Sequence, residues 1–382
     1  MNILLKEIRH NPLLWLLAFV PAVFIGEKLK PQAHAVLFVL TLLAIVPLAA
    51  LLSHATESVA ARTGDAVGGL LNATLGNLTE LVIALTALRA GQHMLVKASI
   101  VGAIVTNSLF MLGASFFLGG MKFHVQEFNR VSARLQACLL FLAAVALLVP
   151  SALVQADAQK GAAMLQSLSL GLAVLLIVAY ALGMFFSLKT HRELFAGAGH
   201  GEAGEAGEAG EAGEAGEAGE AGEAPWPIGL ALATLGSVTV LVALVSEVFV
   251  ESVQHAAETF GMTPAFVGFI VVALVGAAAE MASAFSAARK NRLDLSVGIA
   301  LGSASQIALF VAPVLMLLSY FLGPAPMDLQ FWPGAVVMIL IATLTAALVT
   351  NGGRSAWFVG VLLIMVYLVF AMTLYLLPPG TQ

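Results

Sequence analysis

Charge and cysteine are both scarce in this sequence of 382 residues. Asp, Glu, Lys and Arg together make up 10% of the chain, whereas apolar residues make up 60%. Cys138 is the only cysteine, which excludes an internal disulfide and a cysteine metal cluster. No His-Glu-x-x-His or Gly-x-Ser-x-Gly arrangement lies within an apolar run, so the chain is predicted not to be an enzyme. No feature indicates a nucleic-acid partner.

Long uncharged apolar runs recur along the whole chain and predict an all-α polytopic membrane protein. Such runs, bounded by charge, Gly or Pro, predict about 11 transmembrane helices. They lie near 12–28, 33–53, 67–88, 95–120, 133–155, 162–188, 226–250, 264–288, 294–322, 331–350 and 355–377.

Two of these runs carry the same element. The segment from Gly76 to Glu80 and the segment from Gly276 to Glu280 align without a gap at an offset of 200 residues. The two copies lie in the third and the eighth predicted spans, five spans apart in the count, so they cross the membrane in opposite directions, as in the inverted repeats of secondary transporters. The predicted organisation is a leading helix (1–30), a five-helix repeat (31–190), a linker (191–227) and a second five-helix repeat (228–382).

The linker contains eight Gly-Glu-Ala triplets at 201–224. Their composition indicates an acidic flexible tether, and the alternative is a weak collector of cations or a regulatory segment. Lys and Arg divide 12 to 5 between alternate loops when the N-terminus is placed inside. This bias predicts a cytoplasmic N-terminus and linker, with the C-terminus outside.

A carboxylate in the middle of a membrane span indicates function, because a lone charge there is destabilising. Asn77 and Glu80 are three residues apart and share a helix face, and Gly76 permits a break that turns backbone carbonyls towards a cavity. The span after each glutamate repeats a glycine followed by small and amide side chains, at 102–107 and 302–306. These residues are predicted to line a cation site, and ordinary interhelical packing is the alternative.

Two glutamates with neutral oxygens suit a hard divalent ion such as Ca²⁺, which accepts loose oxygen coordination. Soft ligands for zinc or copper are missing. Two empty carboxylates in a cavity of low dielectric constant tend to take up protons. Two protons or one divalent ion would neutralise the pair, which favours exchange over leak. Ca²⁺ and H⁺ are therefore predicted as transported substrates, with the lipid bilayer as surroundings and no resident cofactor.

The chain resembles the CAX-type calcium/proton antiporters of the calcium/cation antiporter superfamily. The similarity lies in 68–80, in 302–309, in the segment 189–195 before the linker, and in the acidic linker itself. The resemblance implies that Glu80 and Glu280 bind the ion, assisted by backbone carbonyls and by polar residues of the following spans. The ion-binding residues expected in total are Glu80, Glu280, Gly76, Gly276, Asn77, Thr106, Asn107, Ser303, Ser305 and Gln306.

Two positions depart from the family pattern in the second repeat, where Ala277 replaces an asparagine and Met281 replaces a histidine. Glu57, Glu247 and Glu251 end the spans before the two motifs, and they either line the path of the ion or face lipid headgroups.

The leading hypothesis is a Ca²⁺/H⁺ antiporter of a bacterial-type inner membrane. A Na⁺ or K⁺/H⁺ exchanger is the alternative, because the second repeat lacks its asparagine. A passive cation channel is less favoured, because paired inverted halves indicate alternating access. Assembly into a homo-oligomer is left open.

Overall fold

The computed structural model describes residues 7–9, 11–63, 65–156, 158–191 and 226–376. The Gly-Glu-Ala triplets at 201–224 lie outside the described residues. The first six helices are α1 (Pro12–Leu29), α2 (His34–Ala60), α3 (Asp65–Leu75), α4 (Leu78–Arg89), α5 (His93–Phe123) and α6 (Arg130–Ala156). They are followed by α7 (Ala158–Phe185), α8 (Ile228–Thr259), α9 (Pro264–Gly276), α10 (Ala278–Arg289), α11 (Leu293–Leu318), α12 (Pro333–Thr350) and α13 (Trp357–Leu376).

Nine helices within the described ranges are long and apolar enough to cross a membrane, and they are α1, α2, α5, α6, α7, α8, α11, α12 and α13. The pair α9 and α10, bent by 58° at its break, makes a tenth. The span predicted near 67–88 is occupied by the two shorter helices α3 and α4. The prediction of an all-α polytopic membrane protein is confirmed.

Both glutamate segments are broken helices. Between α3 and α4, Asn77 has φ −101° and ψ 34°, and between α9 and α10, Ala277 has φ −80° and ψ 6°. The glycine before each break is needed for close approach. A Cβ atom at Gly76 would lie 2.6 Å from the carbonyl oxygen of Asn72, and one at Gly276 would lie 3.0 Å from Cγ of Glu80.

Helix boundaries repeat at the offset seen in the sequence. Helices α4 and α10 begin at 78 and 278, and α5 and α11 begin at 93 and 293. A π-helical turn interrupts each of the latter two helices, at Thr106–Met111 and Ile307–Val311. Bulges of this kind are frequent at functional sites. The helices α2–α7 therefore correspond in order to α8–α13.

The chain enters and leaves the linker at one face of the bundle, where the π-helical turn Phe186–Thr190 ends α7 and where α8 begins. We call this the linker face. Helix α6 begins there, because α6 and α7 are consecutive antiparallel spans. A short antiparallel ladder joins β1 (Val125–Glu127) and β2 (Arg354–Ala356) at this face.

Trp226, at the end of the linker, is fastened to the end of α2. Its indole stacks on the ring of His54 at a centroid distance of 4.4 Å. The Trp226 N–H donates to Oγ of Ser58 at 3.2 Å, and Nε of Arg62 donates to the Trp226 carbonyl at 2.6 Å. The second half is thus anchored to the first before α8 starts.

Candidate functional site

Glu80 and Glu280 each lie in the first turn after a helix break. Oε1 of Glu80 lies 3.1 Å from the place that a Cβ atom of Gly276 would take, so the first carboxylate rests against the break of the other repeat. Gly276 lies at that break, four residues before Glu280. The fold therefore brings the two glutamates together.

Neither carboxylate is fully satisfied by the protein. Oε1 of Glu80 and Oε2 of Glu280 are shielded from solvent and have no hydrogen-bond partner among the described residues. Burying ionised oxygens without partners is strongly unfavourable. The pair therefore suits a cation or protons, either of which would supply the missing interactions.

Three buried polar side chains form a hydrogen-bonded series beside Glu280. Nδ2 of Asn107 donates to Oγ of Ser303, and the Ser303 hydroxyl donates to Oδ1 of Asn77, each at 2.9 Å. Ser303 is also within hydrogen-bonding reach of the Glu280 carboxylate. We call these three residues the amide–serine chain. It joins the first helix break, the π-helical turn of α5 and helix α11.

Further unsatisfied atoms surround this chain. Oε1 of Gln306 lies 3.5 Å from the place of a Cβ atom on Gly76. Nε2 of Gln306, Nδ2 of Asn77 and Oδ1 of Asn107 are buried without partners in the described structure. Amide oxygens and carboxylates together provide the hard oxygen donors that a divalent cation such as Ca²⁺ prefers.

Two predicted residues are engaged elsewhere. The Thr106 hydroxyl donates to the hydroxyl of Tyr367 on α13 at 3.3 Å. The Ser305 hydroxyl donates to the carbonyl of Gln136 on α6 at 3.2 Å. Both hydroxyls therefore contribute to contacts between helices rather than to the amide–serine chain.

The three other candidate acids are placed differently. Glu57 accepts a hydrogen bond from Oγ of Ser53 at 3.1 Å. Glu247 lies 3.8 Å from Arg89, and both side chains are more than half exposed. Glu251, one turn further along α8, is also exposed. Of the three acids, only Glu57 is partly buried.

Away from the linker face, the path to the site is closed by tight helix packing. A Cβ atom at Gly268 of α9 would lie 2.6 Å from that of Ala98. A Cβ atom at Gly102 of α5 would lie 2.2 Å from the carbonyl oxygen of Phe269. Helix α9 therefore lies directly on α5, with no room between them.

The equivalent positions at the linker face are not packed against another helix in this way. By the offset of 200, Gly298 and Gly302 correspond to Ala98 and Gly102. No atom lies within 4 Å of a Cβ position on Gly298, and only the Gln136 amide, at 3.9 Å, comes near one on Gly302. Helix α3 instead contacts α2 and the end of α7, where Gly69 meets Leu188. The two halves thus differ in closure.

Gln136 and Tyr367 were not predicted from the sequence as neighbours of the site. Both lie outside the duplicated motifs, so the repeat gives no signal for them. The one feature that indicates Gln136 is that it is an amide near the start of the apolar run of α6.

Comparison with known proteins identifies the family of this chain. The family model described as sodium/calcium exchanger protein matches residues 33–189 and again 230–376. A Ca(2+)/H(+) antiporter of Aphanothece halophytica is 39% identical over 95% of this chain and 96% of its own length. The Ca(2+)/H(+) antiporter ChaA of Bacillus subtilis is 38% identical over 94% of this chain and 97% of its own.

A solved structure is also similar. Native YfkE superposes with a TM-score of 0.78 at 35% identity, covering 96% of this chain and 100% of the other. The matches extend over nearly the full length on both sides, and they include both repeats. The chain therefore belongs to the Ca²⁺/H⁺ antiporter family of the sodium/calcium exchanger superfamily, a family of integral membrane transporters and not of enzymes.

Proposed function

We propose that this protein exchanges Ca²⁺ for protons across a bacterial-type inner membrane, at the site formed by Glu80 and Glu280. The observation that carries the proposal is the pair of neighbouring carboxylates, each with one buried oxygen that lacks a partner. Related proteins that are named Ca(2+)/H(+) antiporters, at 38% and 39% identity, support the choice of ions.

The exchange follows from charge. When Ca²⁺ is bound, two carboxylates balance its two charges, and the oxygens of Asn77, Asn107 and Gln306 supply neutral ligands. When Ca²⁺ leaves, two protons restore neutrality. A site that carried two uncompensated negative charges would be strongly disfavoured inside the membrane. The protein therefore does not change from one open state to the other while the site is empty and unprotonated.

The contrast in closure between the two halves supports alternating access. In the present state α3 and α11 are apart at the linker face, which we assign to the cytoplasm with the N-terminus, the C-terminus lying outside. In the opposite state we propose that Gly68 and Gly69 of α3 contact Gly298 and Gly302 of α11, as Gly268 and Phe269 now contact α5. Inverted repeats interconvert in this way.

A Na⁺ or K⁺/H⁺ exchanger is a second candidate. The observation in its favour is that Ala277 is apolar and buried at the second break, where Asn77 stands at the first. Fewer oxygens around one carboxylate would favour a cation of lower charge.

Purified protein in proteoliposomes distinguishes these candidates. We expect a Ca²⁺ gradient to drive proton flux under clamped potential, and Na⁺, K⁺ and Mn²⁺ gradients to drive less. Proton flux driven by Na⁺ or K⁺ but not by Ca²⁺ would select the second candidate, and current without proton movement would indicate a channel.

A further inference from the structure

A groove of about 320 Å³ lies at the linker face between the first turns of α6 and α11. We call it the linker-face groove. Its polar lining consists of Asn129, Ser132 and Gln136 from the start of α6 and Asp294 from α11, and Gly298 forms part of its wall. None of these residues belongs to the duplicated glutamate motifs.

The groove runs along one face of α11. Asp294, Gly298 and Gly302 are spaced by four residues, so they follow one another along the helix. Gly298 leaves open space at the middle, since nothing lies within 4 Å of its Cβ position. Ser132 and Gln136 repeat the same spacing on α6. Two polar or open helix faces therefore lie opposite each other from the surface inwards.

The inner end of the groove lies at Gln136, close to the part of α11 that carries Ser303. Oε1 of Gln136 is buried without a partner among the described residues, and its amide lies 3.9 Å from the Cβ position of Gly302. The next residue, Ser303, is the centre of the amide–serine chain. An unsatisfied amide oxygen thus lies one residue along α11 from a side chain that contacts Glu280.

One carboxylate, that of Asp294, lies at the outer end. The Asp294 carboxylate accepts a hydrogen bond from the backbone N–H of Asn129, which fixes it at the junction of the two helices. The basic residues of this region, Arg130, Arg134 and Arg292, have exposed side chains and do not line the groove. A carboxylate at the mouth of a cleft raises the local concentration of cations.

The equivalent positions of α5 are different. At the offset of 200, Asp294 corresponds to Met94 and Gly298 to Ala98. Both replacements are apolar, and Ala98 is covered by α9. Within the described residues, the acid and the open glycine of α11 therefore have no counterpart on α5.

We infer that the linker-face groove is a second, transient site for a hard divalent cation, in which Asp294 attracts the hydrated ion and Gln136 replaces one of its waters before it reaches Ser303. Its polar side chains offer carboxylate, amide and hydroxyl oxygens, the ligand class that such cations prefer. The inference rests on the proposed function, because it assumes that cations pass between this face and the two glutamates.

The first test compares the apparent KM for Ca²⁺ at the two faces of the membrane. Asp294→Asn keeps an oxygen that can accept the Asn129 N–H but removes the charge. We expect the apparent KM for Ca²⁺ supplied at the linker face to rise roughly three- to tenfold, with the KM at the opposite face and the maximal rate unchanged. Glu127→Gln is the control, because Glu127 is an exposed acid at the same face, 2.6 Å from Arg354 and outside the groove.

The second test measures access without transport. In a Cys138→Ser background, Gly298→Cys should react with a membrane-impermeant charged thiol reagent from the linker face, and Ca²⁺ should slow the reaction. Gly171→Cys is the control, since Gly171 also has open space around its Cβ position but lies exposed along α7. We expect no reaction there, because a charged reagent does not enter lipid.

The outcomes are distinct. Lack of reaction at Gly298→Cys, or an equal rise in KM at both faces, would overturn the inference while exchange persists. If wild-type protein fails to exchange Ca²⁺ for protons, but Gly298→Cys still reacts from the linker face and is protected by Ca²⁺, the proposed function fails and the groove site stands.

Discussion

The two helix breaks come from one duplicated element but have different surroundings. Beside the second break, Glu280 is next to the amide–serine chain of Asn77, Ser303 and Asn107. Beside Glu80 there is a crevice of about 310 Å³ whose lining is apolar apart from the glutamate and a serine, and its residues are Glu80, Ala84, Ser99, Ile100, Ala103, Val272, Ile307, Val311 and Leu315.

The offset of 200 explains this contrast. The counterparts of Asn77, Asn107 and Ser303 are Ala277, Ile307 and Ala103. Each polar member of the chain therefore has an apolar partner in the other repeat. Duplication kept both carboxylates and both breaks, whereas the neutral oxygen ligands collected around one of them. The two glutamates are therefore equivalent in charge but not in coordination.

The most severe test asks whether both glutamates are needed despite this difference. Glu80→Gln and Glu280→Gln each leave one titratable carboxylate, so two charges can no longer be exchanged as one ion or two protons. Breaking a buried charged arrangement costs about 3 kcal/mol, so we expect roughly a hundredfold loss of Ca²⁺-driven proton flux in each. Aspartate at either position should retain a fraction. Near-normal exchange in either Gln variant, at matched expression, would refute the paired mechanism.

The difference in closure is tested by a matched pair of glycines. Gly102→Ala places a Cβ atom 2.2 Å from the Phe269 carbonyl oxygen, so α5 and α9 must separate. We expect the free energy of unfolding to fall by about 1–3 kcal/mol, measured by thermal unfolding in detergent. Gly302→Ala, at the open half, should change it by less than about 0.5 kcal/mol. Equal losses would mean that the two halves are equally closed.

Two serines of α11 test whether the amide–serine chain belongs to the cation site. Ser303→Ala leaves Nδ2 of Asn107 and Oδ1 of Asn77 without partners, which costs about 1–3 kcal/mol. We expect a rise in the apparent KM for Ca²⁺ of up to roughly tenfold. Ser305→Ala is the control, because its hydroxyl bonds to the Gln136 carbonyl. A similar KM in both variants would remove the amide–serine chain from the site.

The smallest effect is expected at the linker. Replacing the eight glutamates of 201–224 with glutamine keeps the length of a tether and removes its charge. We expect the Ca²⁺ dependence of transport in proteoliposomes to stay nearly unchanged. A large rise in apparent KM would instead assign a collecting or regulatory role to these carboxylates.

Sequence patterns predicted most of the membrane spans and indicated the break at Gly76, because hydropathy and glycine are local signals. They did not distinguish Ser303 from Ser305. Two residues apart on a helix, these hydroxyls point in opposite directions, and only packing decides which one meets Glu280. Gln136 was missed for a related reason, since its importance arises from α11, which is distant in sequence. The unequal closure of the halves is likewise invisible in a near-symmetric repeat.

The anchoring of Trp226 has a consequence for how the chain can be assembled. Its indole and backbone are bound by His54, Ser58 and Arg62, which all belong to the first half. The second half is therefore held against the first by contacts that do not depend on an unbroken peptide chain. Two separately expressed fragments, divided within 201–224, carry every residue of this contact, so the protein is suited to reconstitution from two polypeptides.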